Sequence, residues 1–283
     1  MNLRQAIGEA TARLAAAGVE SPEHDAKALA LHVLGLTRPS DLHLHDTINP
    51  DLYDDLVRRR AERIPLQHLT GSAPFRHIEL EVGPGVFVPR PETEAVVGWA
   101  VERLQHLDSP LVVDLCTGSG TCALAIANEV PGARVHAVER DPAALEWARR
   151  NAQNRVAAGD PLTQLHLGSV EDALPELDGT VDLVISNPPY VAEDERHIPA
   201  PEVVDHDPEI ALFAGQDGLD VIRLVEQAAK RLLTPGGLVV VEHSDRQGRS
   251  APAVFTEAGG WTEVEDHQDL TGRDRYVTAR LSP

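Results

Sequence analysis

From residue 111 onward this chain of 283 residues alternates short apolar runs with helical stretches, and that alternation restricts the fold more than any other feature. Runs at 111–113, 134–138, 165–167, 181–186 and 238–242 read as strands. Residues 121–127, the stretch after Asp141-Pro142 and residues 219–233 between them read as helices. Repeated strand–helix units imply an α/β fold with a parallel sheet covered on both faces. Residues 261–265 and 275–280 close the pattern as an antiparallel pair. Ligands of such sheets sit beyond the carboxyl ends of the strands, so those ends are where chemistry is to be sought.

The first strand runs into Asp114-Leu115-Cys116-Thr117-Gly118-Ser119-Gly120 and then a helix. Glycines in such a turn let a ligand approach the backbone closely, and a helix N-terminus favours negative charge. Cys116 stands where G-x-G-x-x-G would have its first Gly, which disfavours a dinucleotide. The next strand ends in Glu139, about 20 residues after the loop, where a carboxylate can bind both hydroxyls of a ribose. A solvated strand end is the plainer reading of Glu139, and the loop upstream argues against it. The fourth strand leads into Asn187-Pro188-Pro189-Tyr190, a stiff loop with few backbone donors. Its free groups are acceptors: the Asn187 side-chain carbonyl and the carbonyls of Pro188 and Pro189. Such a loop suits a planar –NH2 group, which has two hydrogens to donate.

Together the loop, Glu139 and Asn187-Pro188-Pro189-Tyr190 resemble the class I S-adenosylmethionine-dependent methyltransferases that act on an exocyclic or amide nitrogen. Pro65-Leu66-Gln67-His68-Leu69-Thr70-Gly71 is similar to the P-L-Q-Y-I-x-G segment of the protein-(glutamine-N5) methyltransferases that modify peptide chain release factors. Pro89-Arg90-Pro91-Glu92-Thr93-Glu94 matches that family's P-R-P-E-T-E. Ala211-Leu212-Phe213-Ala214-Gly215-Gln216-Asp217-Gly218-Leu219 and Thr271-Gly272-Arg273-Asp274-Arg275 continue the match. The resemblance implies a class I methyltransferase fold, Rossmann-like, with a mainly parallel seven-stranded sheet and helices on both faces, preceded by a small all-α domain. It implies that Asp114, Cys116, Thr117, Gly118, Ser119 and Gly120 hold the methionine half of S-adenosylmethionine, Glu139 its ribose and Val170 its adenine, with Asn187 also at the cofactor. It implies a substrate site at Asn187, Pro188, Pro189 and Tyr190, with Arg90 at its border. The chain departs from the family at Ser169-Val170, where Asp-Trp is usual, at His206-Asp207-Pro208 for Tyr-Glu-Pro, and at Glu242-His243-Ser244 for E-x-G. His243 alone at a strand end reads as structural.

Charge bears on the substrate. The formal net charge is −20, from 25 Lys and Arg against 45 Asp and Glu. Residues 1–73 hold 8 basic and 10 acidic residues, which leaves 17 against 35 for the rest. Nucleic-acid binding depends on neutralising phosphates with Lys and Arg. The strongly acidic catalytic region, with aromatics at 4%, is poorly built for flipping a base, although Asn-Pro-Pro-Tyr also occurs in DNA adenine methyltransferases. Arg58-Arg59-Arg60 is the one basic cluster and reads as a solvated helix face. No run approaches 18 apolar residues and the first residues lack a signal-peptide core, so the expectation is a cytoplasmic protein with no membrane contact. Cys116 and Cys122 have no metal or redox spacing and read as free buried thiols.

Residues 1–73 read as a helical domain. Leu3, Ile7, Ala10 and Leu14 recur at helical spacing, Ser21-Pro22 and Asn49-Pro50 give start signals, and Gly18 and Gly35 close helices. By resemblance this domain docks the protein substrate. Residues 74–90 read as a β-hairpin connector turning at Gly83-Pro84-Gly85, and residues 91–283 as the methyltransferase domain, its first helix opened by Pro91.

The chemistry expected is transfer of a methyl group to the side-chain amide of the Gln in the Gly-Gly-Gln motif of class I release factors. Asn187 Oδ1 and the Pro188 carbonyl would accept the two amide hydrogens and align the nitrogen, Tyr190 would wall the pocket, and no metal is needed. The alternatives are methylation of exocyclic amines of DNA or RNA, and a non-catalytic S-adenosylmethionine-binding protein.

Overall fold

The computed structural model describes residues 1–198 and 200–283 and divides into two compact units. The first comprises Met1–Ser72 and Ala200–His206. It is helical: α1 (Leu3–Ala16), α2 (Pro22–Leu34), α3 (Pro50–Ala61) and the short α4 (Leu66–Thr70). Leu3, Ala6, Ala10 and Leu14 form the buried stripe of α1. Asn2 caps that helix by accepting from the Gln5 amide, and Asn49 caps α3 by accepting from Asp51 and Leu52. Ser21 makes no side-chain cap on α2; Pro22 starts that helix by its fixed φ, and Gly35 ends it in the left-handed conformation at φ 66. The Tyr53 hydroxyl crosses the core to the Ala26 carbonyl at 2.8 Å. Arg60, expected on a solvated face, is instead buried and donates to Asp25 at 2.7 Å and to Glu202 at 2.9 Å. Arg63 binds the same Glu202 through both oxygens.

The second unit contains the described residues from Ala73 up to residue 198, and Asp207–Pro283. Strands β1 (Ser72–Phe75) and β2 (Ile78–Glu81) form a two-stranded sheet about Arg76 and His77. The turn therefore lies before the expected Gly83-Pro84-Gly85, and residues 86–88 form no strand. Helix α5 (Thr93–Leu104) starts two residues later than expected, after a tight turn in which Thr93, Glu94 and Ala95 bond to the carbonyls of Arg90, Pro91 and Glu92. Then follow β3 (Leu111–Leu115), α6 (Thr121–Glu129), β4 (Arg134–Glu139), α7 (Pro142–Ala157), β5 (Gln164–Leu167) and β6 (Val181–Ser186). The short α8 (Pro201–His206) belongs to the first unit, and α9 (Asp220–Leu232), β7 (Leu233–Glu242), α10 (Ser250–Ala258), β8 (Trp261–Gln268) and β9 (Asp274–Leu281) complete the chain.

The large sheet has seven strands in the order β5-β4-β3-β6-β7-β9-β8. Its first five are parallel, and β9 runs antiparallel to both neighbours. Alternate residues supply two cores. Val112, Val135, Ala137, Leu183, Ile185 and Val240 face α5 and α6, while Val113, Leu115, Val138, Val184, Val239 and Val241 face α9 and α10. Because both faces are covered, β3 is buried at all five positions. The chain leaves β3 toward β4 and β5 and returns on its other side as β6, so the strand order reverses between β3 and β6. That is where a doubly wound sheet opens its ligand crevice.

Candidate active site

Register fixes what meets at the crevice. Leu115 pairs with Ser186, so the loops after β3 and β6 begin side by side, and the Ser186 hydroxyl ties them by donating to the Leu115 carbonyl at 2.7 Å. The β3 loop is folded by its own carboxylate. Asp114 Oδ2 accepts from the Thr117 hydroxyl at 2.5 Å and the Ala123 amide at 3.0 Å, while Oδ1 is buried with no partner. Burial pushes the Asp114 carboxyl up to about 7, with the Glu139 charge adding and the two hydrogen bonds opposing. Cys116 has φ 63, unusual for a side-chain-bearing residue, and Gly118 and Gly120 have φ 58 and 89. A Cβ on Gly120 would meet Leu124 at 2.8 Å, whereas one on Gly118 would meet nothing within 4 Å. Gly120 is thus a packing glycine, and Gly118 leaves backbone open to a ligand.

Glu139 reaches the loop from β4. Its Oε2 accepts from the Gly118 amide and its Oε1 from the Asp141 amide, each at 2.8 Å. Each oxygen keeps a free lone pair. Burial raises its pKa, and the backbone amides oppose that. Thr117 and Ser119 are buried, and the Thr117 amide bonds to the Val138 carbonyl at 3.1 Å. Val170 is buried in the core that includes Leu115 and Val138, with Cys116 packed against it. Burial pushes both thiols, Cys116 and Cys122, up from their ordinary range, as inert cysteines require.

At the end of β6, Asn187 is half-buried and its Nδ2 donates to the Thr93 hydroxyl oxygen at 3.1 Å. Among the described residues nothing donates to Asn187 Oδ1. Pro188 is buried, and Pro189 and Tyr190 are half-buried. The Tyr190 hydroxyl donates to Glu242 Oε1 at 3.2 Å. Glu242 Oε2 is buried with no partner. Burial pushes the Glu242 carboxyl up to about 7; the nearby Thr93 side chain, the Arg275 charge and the Tyr190 bond oppose that. Glu242 and Thr93 therefore join the site. Sequence reading saw Thr93 only as part of Pro89-Arg90-Pro91-Glu92-Thr93-Glu94 and gave Glu242 no role, although a carboxylate closing an apolar strand was its visible sign.

Other motifs support this loop. Val191 exchanges backbone hydrogen bonds with Leu212 and Ala214, and Gly218, at φ 70, lies so close that a Cβ would sit 2.3 Å from the Tyr190 carbonyl. Gln247 Nε2 donates to that same carbonyl at 3.1 Å. Arg90 bonds to the buried Asp207 at 2.7 Å and stacks on Phe87, so the structure brings it to Asp207 rather than to Asn187. Burial pushes Asp207 up to about 6 against the Arg90 charge. His243 is wholly buried, with Nε2 2.8 Å from Asp266 and Nδ1 2.8 Å from the Ser244 carbonyl, so both nitrogens are occupied. Among the described residues no three His, Cys, Asp or Glu side chains could hold a metal, and no helix is long and apolar enough to cross a membrane.

The family model of the PrmC N-terminal domain matches residues 5–71, and that of the methyltransferase small domain matches residues 83–205. Release factor glutamine methyltransferase of Streptomyces coelicolor is 54% identical over 99% of both chains. The 4-amino-L-phenylalanine/4-methylamino-L-phenylalanine methyltransferase of Streptomyces pristinaespiralis is 44% identical over 98% of this chain and 94% of its own. A solved methyltransferase from Pyrococcus furiosus superposes with a TM-score of 0.51 at 19% identity, covering 71% of this chain and 87% of that one, a likeness of fold. Identity of this extent over the full length decides the matter: the chain belongs to the release factor glutamine methyltransferase family.

Proposed function

We propose that this protein methylates the side-chain amide nitrogen of the Gln in the Gly-Gly-Gln motif of class I peptide chain release factors, with S-adenosylmethionine as methyl donor. One observation carries the reading: Asn187 spends its donor on Thr93 and keeps Oδ1 as a free acceptor beside the β3 loop. An amide –NH2 needs acceptors. Asn187 Oδ1 and the Pro188 carbonyl would take its two hydrogens and hold the nitrogen in line for transfer. The amide lone pair is delocalised, so positioning, with acceptors aimed at the developing positive charge, is the contribution required of the protein. Tyr190 walls the pocket, and the proton leaves to solvent after transfer.

Bound S-adenosylmethionine supplies an electrophilic methyl group on a sulfonium. The residues of the β3 loop fit it on three counts: open space at Gly118, a leftover acceptor at Asp114 Oδ1, and spare lone pairs on both oxygens of Glu139. Cys116, Thr117, Ser119 and Gly120 shape the turn, and Val170 lies in the apolar core beneath it. Residues 1–73 would dock the protein substrate. The acidic second unit supports a protein rather than a nucleic acid as partner.

The test is transfer of labelled methyl to unmethylated release factor, beside a Gly-Gly-Ala variant of that motif, duplex DNA and 4-amino-L-phenylalanine. Label on the intact release factor alone is expected. Label on the arylamine instead would move this chain to the specificity of the relative that methylates it. Asn187→Ala should lower transfer at least ~100-fold with S-adenosylmethionine binding retained; undiminished turnover would remove the mechanism.

A further inference from the structure

We propose that Gln247 is a positioning residue for methyl transfer: by holding the Tyr190 carbonyl it aims the Pro188 carbonyl at the substrate amide. The proposal rests on the roles of Asn187 and Pro188 given above and deepens them. Those roles ask much of a loop with little means of holding itself. Pro188 and Pro189 have no N–H to donate, so the Pro188 carbonyl must be aimed from outside. At its near end the loop is tied by the Ser186 hydroxyl on the Leu115 carbonyl and by Asn187 on Thr93. At its far end it is tied through Tyr190.

Gln247 is buried in the turn between β7 and α10, where its backbone amide bonds to the Ser244 carbonyl at 2.8 Å and its carbonyl accepts from the Ala251 amide at 2.9 Å. Its side chain can be seated in one sense only. Oε1 accepts from the Ser244 amide at 3.0 Å, and Nε2 donates to the carbonyls of Tyr190 at 3.1 Å and Asp217 at 3.3 Å. An N–H cannot accept and a carbonyl cannot donate, so reversing the side-chain amide would break all three bonds. Both protons of Nε2 are thereby spent on loop carbonyls, one of them in the Asn-Pro-Pro-Tyr loop.

Two further features converge on Tyr190. Gly218 lies ahead of α9 at φ 70, and a Cβ there would sit 2.3 Å from the Tyr190 carbonyl and 2.8 Å from Gln247 Nε2, so glycine leaves the room in which this bond is made. The Tyr190 hydroxyl donates to Glu242 at 3.2 Å, so the side chain and the carbonyl of one residue are both held by the segment that ends β7 and leads to α10. Between Tyr190 and the Pro188 carbonyl stands only Pro189, whose ring fixes φ. A fixed Tyr190 thus passes its position back to the Pro188 carbonyl. Gln247 acts on the loop across 57 positions of sequence.

The experiment measures kcat, KM for release factor, S-adenosylmethionine affinity and urea stability for wild type, Gln247→Met, Gln247→Glu and Asn187→Ala. Gln247→Met keeps the bulk and removes every polar contact of the side chain. Gln247→Glu keeps the acceptor for Ser244 but sets a carboxylate oxygen against the two carbonyls. Both should lower kcat roughly 10- to 100-fold, Gln247→Glu at least as far as Gln247→Met, with S-adenosylmethionine affinity unchanged. Should the buried carboxylate prevent folding, Gln247→Met carries the test. A residue that only held the turn before α10 would give the opposite order, because Gln247→Glu preserves the Ser244 bond. That order, or wild-type kcat in both variants with Asn187→Ala inactive, would overturn the positioning role alone. Loss of S-adenosylmethionine affinity in step with activity would also overturn it. Full activity of Asn187→Ala would overturn the reading beneath it.

Discussion

In the helical unit Glu202 lies between Arg60 and Arg63, whereas in the sheet unit Asp114 and Glu242 are buried among hydroxyls and backbone amides. The outcomes are opposite. Burial raises the Glu202 pKa, but hydrogen bonds from Arg63 and Arg60 prevail and bring it down to about 2. Asp114 and Glu242, without such bonds, are pushed up to about 7. A carboxylate matched by guanidinium groups is fixed in charge and serves the fold. One held by neutral donors sits near its titration point and keeps acceptor capacity, which is how carboxylates at reactive sites are commonly kept.

The sharpest way to break the comparison is to remove a cation from the first unit. Arg60→Met strands Asp25 in the core and takes one partner from Glu202. Leaving a buried charge uncompensated costs about 3–5 kcal/mol, which urea unfolding measures. A cost under about 1 kcal/mol would show that these ions stay hydrated and that the distinction between the units is empty.

Neutral isosteres test the same contrast with a smaller effect. Glu202→Gln keeps the shape but turns bonds between ions into bonds to a neutral amide, at a cost of about 1–3 kcal/mol. Glu242→Gln at pH 8 removes a buried charge that no guanidinium directly bonds among the described residues, so stability should hold or rise. Equal losses in the two variants would show that both carboxylates do the same structural work.

How far the sequence could reveal this difference depends on reach along the chain. The parallel sheet was legible because each βα unit repeats a local pattern, and β3 to β7 lie where apolar runs end in turn residues. The glycine loop and Asn187-Pro188-Pro189-Tyr190 were legible because their chemistry is carried by contiguous residues. Pairings across distance were not. Thr93 and Asn187 meet across 94 positions, and Tyr190 and Glu242 across 52. Arg60 read as a solvated residue because its partner Glu202 is 142 positions away. The hairpin was misplaced for a local reason: Gly83-Pro84-Gly85 is the stronger turn signal, yet Ile78 and Leu80 bury against the main core and draw the pairing to residues 72–75. Gly218 read as part of a motif, and only the approach of the Tyr190 carbonyl explains why it must be glycine.

The smallest effect lies in the pH dependence of stability, and its sign differs between the two units. Glu202 is depressed from 4.5 to about 2, so its contribution is present above 4.5 and is lost as pH falls toward 2. Asp114 and Glu242 are raised from 3.8 and 4.5 to about 7, so in the folded state they bind protons that the unfolded chain has already released. Their contribution is complete below about 4 and is lost as pH rises through 7. Asp207, raised to about 6, acts in the same direction. Stability should therefore be greatest near pH 4 to 4.5 and fall from there to about pH 7, as urea unfolding at each pH would record. In Glu242→Gln that alkaline fall should shrink, while the acid limb set by Glu202 stays. A wild-type curve flat from pH 5 to 8 would mean that both carboxyls titrate normally and that the contrast between the two units fails. If the fall is seen, the protein is least stable at the pH where Asp114 and Glu242 are both ionised. The cost of an unpaired buried charge then falls on the site that uses it.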